Sequence, residues 1–257
     1  MNCINLLEEQ MLEEAFDRWQ KRRDMVAERG IHHSVTSGAM YKTTDPMDKP
    51  KERDAYHGVC ERCQFYEHMG AEPTNVEAKS LFKMRWGNQI HFDCYRLWEA
   101  RGVLAKKEGD MAGLYEHPDL EFPISYRPDA LLFDDDEYSL IDIKTTYGYG
   151  FSKIPKWSQR WQMSWYAKLL DPRAYEEWGI EISEYVITFF ARDNANRRSL
   201  VAGKHFDFMD IDDVSVWVHL EECLKKKEVP ERSYDRTHWM CKYCDYRDLC
   251  WEAHKNV

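Results

Sequence analysis

The chain has 257 residues, with 36 Lys+Arg against 46 Asp+Glu for a net charge of −10, and it is 43% hydrophobic and 14% aromatic. That length suffices for one large domain with a continuous core. The acidic balance excludes a protein that coats nucleic acid non-specifically, so any such contact must lie in a local basic patch.

Apolar residues at Ile4, Leu7, Met11, Ala15, Trp19 and Val26 keep near-helical spacing and predict an N-terminal amphipathic helix over 4–29, with Gly30 as its cap. Residues 31–58 are polar, contain Thr43, Thr44, Asp45, Pro46 and Pro50, and read as a long loop or connector. From Val76 to Arg101 the positions Leu81, Phe82, Ile90, Cys94, Leu97 and Trp98 predict a helix interrupted near Gly87, closed by Gly102 and carrying His91. Ile124 to Phe133 and Tyr138 to Thr145 flank the acidic turn Asp134, Asp135, Asp136, Glu137, the pattern of an antiparallel hairpin. Pro155 starts a Trp-rich helical stretch that runs to about Leu170. Tyr185–Arg192 and Leu200–Phe208 read as two strands separated by a basic loop, and Asp212–Lys227 as another helix. The order predicts a mixed α/β (α+β) domain with helices flanking a sheet. No apolar stretch approaches the ~18 residues of a membrane span. Met1 to Gln10 is acidic where a signal peptide would be basic and then apolar, so the expectation is a cytoplasmic protein without membrane contact.

Side chains alternate along a strand, so Leu140, Asp142 and Lys144 share one face, while Ser139, Ile141 and Ile143 share the other. A turn centred between Asp135 and Asp136 puts Asp129 across from Asp142, with Cβ atoms ~4.5–5.5 Å apart. Two carboxylates that close need a proton or a cation, and hard oxygen donors suit Mg²⁺ or Mn²⁺. Lys144 beside them can orient water and offset charge developing on a phosphate. The bland alternative is an exposed Asp142–Lys144 pair worth little.

Pro128-Asp129, then Asp142-Ile143-Lys144, then Gln162 and Tyr166 as Gln-x3-Tyr, together resemble the PD-(D/E)xK nuclease superfamily in its RecB-like branch. Upstream, Gly87-Asn88-Gln89-Ile90-His91 resembles the Gly-x-x-x-His of that branch. The resemblance implies a restriction-endonuclease-like core, a mixed central sheet flanked by helices, in which residues 59–257 form the nuclease domain and 1–58 a helix and connector. It further implies that His91, Asp129, Asp142 and the Ile143 carbonyl bind Mg²⁺ or Mn²⁺ and that Lys144 assists the attacking water. Gln162 and Tyr166, one helical turn apart, would help to position DNA.

Cys241, Cys244 and Cys250 form Cys-x2-Cys-x5-Cys near the C-terminal end, while Cys60 and Cys63 lie far upstream. Thiolates so spaced are ligands for a soft metal, whereas Cys94 and Cys223 fit buried apolar positions on helices. Two metal readings compete: a zinc ribbon of Cys60, Cys63, Cys241 and Cys244, or an iron–sulfur site of one upstream cysteine with Cys241, Cys244 and Cys250. The second resembles the iron–sulfur RecB-like nucleases, among them the AddB nuclease domain and CRISPR-associated exonucleases. Cys60-Glu61-Arg62 before Phe65-Tyr66 makes Cys60 the fourth ligand by that resemblance, with Cys63 in reserve, and implies a 4Fe-4S cluster stapling a helical lobe.

Lys153, Lys156 and Arg160, between Lys144 and Gln162, are the candidate phosphate contacts. Trp157, Trp161 and Trp165 could stack on bases but suit a core stripe better. The function the family resemblance implies is metal-dependent exonucleolytic cleavage at single-stranded or duplex DNA ends, in recombination or repair, phage DNA processing or CRISPR adaptation. A recombination or CRISPR-adaptation protein is the expected partner. The alternatives are a non-catalytic or partner-dependent DNA-binding iron–sulfur subunit and a zinc-stapled nuclease.

Overall fold

The computed structural model describes residues 10, 13, 14, 17, 20, 24, 30–35, 41–42, 56–57, 60–75, 78–193, 196–242 and 244–252. The apolar positions predicted for the N-terminal helix lie outside these residues. Gln10, Glu13, Glu14, Asp17, Gln20 and Asp24, all described, are helical, and Gly30 takes the positive φ (81°) expected of a cap.

Three short strands come first, β1 (His33–Ser34), β2 (Tyr41–Lys42) and β3 (Tyr56–His57), so the predicted 31–58 loop carries local pairing. Helices α1 (Glu61–His68) and α2 (Ala78–Arg101) follow, then β4 (Leu104–Lys107), α3 (Glu108–Met111), β5 (Gly113–Tyr115), β6 (Ile124–Tyr126), β7 (Ala130–Asp134) and β8 (Glu137–Thr146). After a 3₁₀ segment, Gly148–Lys153, come α4 (Trp157–Trp178), β9 (Ile182–Ala191), β10 (Arg197–Val201), α5 (Ser215–Lys226), α6 (Trp239–Lys242) and α7 (Arg247–Glu252). Among the described residues no helix is long and apolar enough to cross a membrane.

The main sheet has the order β10-β9-β8-β7-β4, with β8 and β9 parallel and every other neighbouring pair antiparallel. A parallel pair needs a crossover, and α4 supplies it. This helix buries Trp161, Met163, Trp165 and Leu170 against Leu131, Leu140, Ile187 and Phe189. The opposite face of the sheet, through Ala130, Ile141, Ile143 and Val186, packs against Cys94 of α2, with Ile90, Tyr95 and Trp98 at the margin. Helices therefore cover both faces, the mixed α/β core expected.

The sequence reading needs correction in detail. Gly87 does not interrupt α2, which runs unbroken to Gly102 (φ 70°). Ile124–Tyr126 is not part of the hairpin but joins a separate sheet, β1-β6-β5, through parallel pairing with His33–Ser34. The Trp-rich helix extends beyond Leu170, through Pro172, to Gly179 in the left-handed conformation. Beyond it β10 begins at Arg197 and ends at Val201, overlapping only the start of the expected Leu200–Phe208 strand, and α5 begins at Ser215 rather than Asp212.

His68, the last residue of α1, lies edge-on to His33. Burial, with His33 and His32 beside it, pushes its pKa from 6.5 down to about 4. The folded protein thus favours the neutral ring, and the stability this contributes is full above pH 6.5 and lost as pH falls towards 4. Urea unfolding should show the parent losing about 3 kcal/mol more than His68→Asn over that window. Equal slopes for the two proteins would refute this origin of acid sensitivity.

Candidate active site

The β7–β8 hairpin is set by its two-residue turn. Asp135 (φ 49°) and Asp136 (φ 64°) both adopt left-handed backbone, the requirement of a tight hairpin turn, and aspartate tolerates that conformation better than most residues. Ala130 then pairs with Ile141 and Asp134 with Glu137, the register expected from the turn. Asp129, just before β7, extends that register to meet β8 through its side chain: Ile143 N–H donates to Asp129 Oδ2 at 2.5 Å. Asp142 is 2% exposed, and Lys144 Nζ lies 2.8 Å from each of its oxygens, donating to Oδ1. The buried Asp142 Oδ2 meets Lys144 as an ion pair outside hydrogen-bond geometry.

Helix α2 brings His91 Nδ1 to 3.5 Å from Asp129 Oδ1, and Tyr95, one turn on, donates to the Asp129 carbonyl at 3.1 Å. Burial above all, then the Asp142 carboxylate, pushes Asp129 up to about 8, against the opposing pull of Lys144 and the Ile143 N–H. Burial and the Lys144 ammonium hold His91 below the ordinary histidine value, which favours the neutral ring that can donate a lone pair. Two buried acids beside one ammonium, one of them resisting ionisation, make a site short of positive charge. A hard divalent cation fits this donor set.

Gln162 and Tyr166 are buried in α4 beneath these residues. Gln162 Nε2 donates to Tyr166 Oη at 2.6 Å, and Tyr166 Oη donates to the Arg127 carbonyl at 3.0 Å, two residues before Asp129. Gln162 Oε1 is buried without a hydrogen-bond partner. Lys153 and Lys156 are exposed, whereas Arg160 donates to the Asp207 carbonyl at 3.2 Å and lies over the Trp157 ring. Trp161 and Trp165 are core. Sequence reasoning missed Glu108, whose charge acts on His91, Tyr95 and Asp129 while Arg127 Nε pairs with it at 2.6 Å. No local pattern marks that acid, because only the approach of β4 and α3 to β7 brings it near.

A profile of the PD-(D/E)XK nuclease superfamily matches residues 96–251, more than half of the chain. The chain belongs to the PD-(D/E)XK nuclease superfamily. Among solved structures it is similar to the crystal structure of SSO0001, with a TM-score of 0.54 and 14% identity, covering 97% of this chain and 96% of that one. At that identity the likeness concerns the fold. No curated protein matches the chain. PD-(D/E)XK nucleases generally use Mg²⁺ or Mn²⁺, in keeping with the donors described, and a nuclease domain implies DNA as substrate.

In this PD-(D/E)XK chain the upstream and C-terminal cysteines come together. Cys60 caps α1, its Sγ accepting from Cys63 N at 3.3 Å, and Cys63 hydrogen-bonds to Cys244. Burial above all pushes the Cys60 thiol up to about 12, and Cys244, Cys241 and Cys250 act on it in the same direction. Arg62 Nη1 approaches Cys250 Sγ at 3.7 Å while its Nε donates to the Pro230 carbonyl at 2.6 Å. The segment is further clasped by Thr74 N and Asn75 N, both donating to the Asp245 carbonyl, and by Asn75 Nδ2 donating to the Cys244 carbonyl. Burial also raises Cys241, whereas the hydrogen bond from Cys63 holds Cys244 below the ordinary thiol value, so the set offers one readily ionised thiol among neighbours that a soft, thiolate-bound metal centre would draw to charge.

Proposed function

We propose that the protein is a RecB-like DNA exonuclease that hydrolyses phosphodiester bonds at DNA ends with Mn²⁺ or Mg²⁺, residues 59–257 being the nuclease domain and 1–58 its connector. The observation that carries this reading is the buried pair of acids, Asp129 pushed up to about 8 beside Asp142, with His91 3.5 Å from Asp129 and Lys144 2.8 Å from Asp142. His91, Asp129, Asp142 and the Ile143 carbonyl would hold the cation, which supplies Lewis-acid stabilisation of charge on the scissile phosphate. Lys144, fixed by Asp142, keeps an ammonium at the place where the attacking water must be oriented. Gln162 and Tyr166 position the Asp129 end of β7 from below through the Arg127 carbonyl, and Lys153 and Lys156, with Arg160, are proposed to meet the backbone phosphates. Cys60, Cys241, Cys244 and Cys250 are proposed to hold a 4Fe-4S cluster that fastens the C-terminal segment to α1, a reading supported by their convergence and their spacing. The pathway proposed from the family resemblance is recombination or repair, phage DNA processing or CRISPR adaptation, with a protein partner from the same process.

Digestion of end-labelled single- and double-stranded linear DNA tests this. The parent should remove label and Lys144→Ala should not, and the rate should be higher in Mn²⁺ than in equimolar Mg²⁺ because imidazole is a softer ligand than oxygen. Internal cleavage of circular DNA at the rate of linear DNA would replace the exonuclease by an endonuclease. An equal or greater rate in Mg²⁺ would remove the argument from the histidine.

A further inference from the structure

Helix α5 presents His219 and Cys223 four residues apart, hence on one face, and that face meets Glu61 in the first turn of α1. His219 Nδ1 lies 2.5 Å from Glu61 Oε1, and its Nε2 lies 3.8 Å from Cys223 Sγ. One donor atom from each of the three residues falls within 4.8 Å of the others. Cys223 is buried and the Glu61 side chain is 12% exposed, whereas the His219 ring is 56% exposed and opens the group to solvent. The charged neighbours acting on Cys223 are Glu61, Lys226, Glu228 and Glu222, a predominantly anionic setting. None of the three residues belongs to the nuclease site or to the set of clustered cysteines.

We propose that Glu61, His219 and Cys223 form a zinc site that clips α1 to α5. Carboxylate oxygen, imidazole nitrogen and thiolate sulfur are the donor types zinc takes, and three protein donors leave a fourth position for water on the exposed side. The thiolate and imidazole turn the site away from Mg²⁺. The ring now bridges Glu61 and Cys223 through its two nitrogens, so binding requires it to turn one nitrogen to the ion. The Cys223 thiol loses its proton to solvent as the zinc–sulfur bond forms, which makes the affinity rise with pH.

The test measures zinc, iron and labile sulfide in the protein as purified and after dialysis against excess zinc, for the parent, His219→Ala, Cys223→Ser and Cys250→Ser. The parent should hold about one equivalent of zinc more than His219→Ala or Cys223→Ser, while iron, sulfide and the far-ultraviolet circular dichroism of those two variants match the parent. Cobalt substitution should give a thiolate-to-metal charge-transfer band absent from Cys223→Ser. Equal zinc in the parent and both variants overturns the proposal, as does zinc lost in Cys250→Ser but kept in Cys223→Ser. Should Cys250→Ser not fold, the difference between the parent and His219→Ala decides alone. Iron content reports separately on the clustered cysteines, so failure of that reading leaves this one intact.

Discussion

Asp142→Asn is expected to lower DNA cleavage by about 10³-fold or more while moving the melting temperature by no more than about 4 °C. The substitution keeps the shape of a side chain that is 2% exposed and keeps an oxygen for Lys144, but it removes the charge. Two stability effects then oppose each other. Loss of the carboxylate weakens its ion pair with Lys144, whose side chain is 18% exposed, and it also relieves the repulsion that adds to burial in pushing Asp129 up to about 8. Cleavage enjoys no such compensation, because the substitution removes the charge of one of the two facing acids proposed to hold the cation. The measurement pairs a thermal melt with digestion of end-labelled DNA. Activity within tenfold of the parent would remove Asp142 from the site, and a collapse of the melt would assign the loss to unfolding.

What could be read in the sequence was local. The alternation of Leu140, Asp142 and Lys144 against Ile141 and Ile143 is a property of any strand, and the observed burial follows it. The hairpin register was readable because a two-residue turn at Asp135 and Asp136 leaves one pairing. The tryptophan stripe of α4 likewise followed from helical period, with Trp161 and Trp165 in the core. What failed depended on distant partners. Ile124–Tyr126 has the composition of a strand but pairs with His33–Ser34, so no local pattern could detach it from the hairpin. Gly87 lowers helix propensity, yet α2 continues through it, since packing of Cys94 and its neighbours against the sheet outweighs about 1 kcal/mol of propensity. The same limit applies to the candidate site: the juxtaposition of Asp129, Asp142 and Lys144 was readable from strand spacing, whereas Glu108 and the Glu61–His219–Cys223 group come together only once helices and strands have met.

Glu221→Ala should destabilise the fold by about 3–5 kcal/mol, far from the nuclease site. Glu221 is 4% exposed and accepts three bonds, each 2.9 Å long: His33 Nε2 and Phe122 N at Oε1, and Glu121 N at Oε2. One carboxylate thereby joins α5, the approach to β6 and the β1 segment. His33 stacks on Trp217 at 5.0 Å, and its burial outweighs the pull of Glu221, so the ring favours the neutral state. A neutral ring donating to Glu221 from Nε2 leaves Nδ1 as a bare acceptor, which agrees with its having no hydrogen bond. Truncation to alanine strands three donors at once, and each unsatisfied donor costs about 1–3 kcal/mol where water cannot replace the lost oxygen. Glu221→Gln separates charge from shape: one oxygen survives, but the new NH₂ must face either the Glu121 N–H or the donors at Oε1, so a loss of about 1–3 kcal/mol is expected. Guanidinium unfolding followed by tryptophan fluorescence measures both. A loss below about 1 kcal/mol for Glu221→Ala would mean that water reaches the freed donors and that the three elements are held by apolar packing around Trp217 instead.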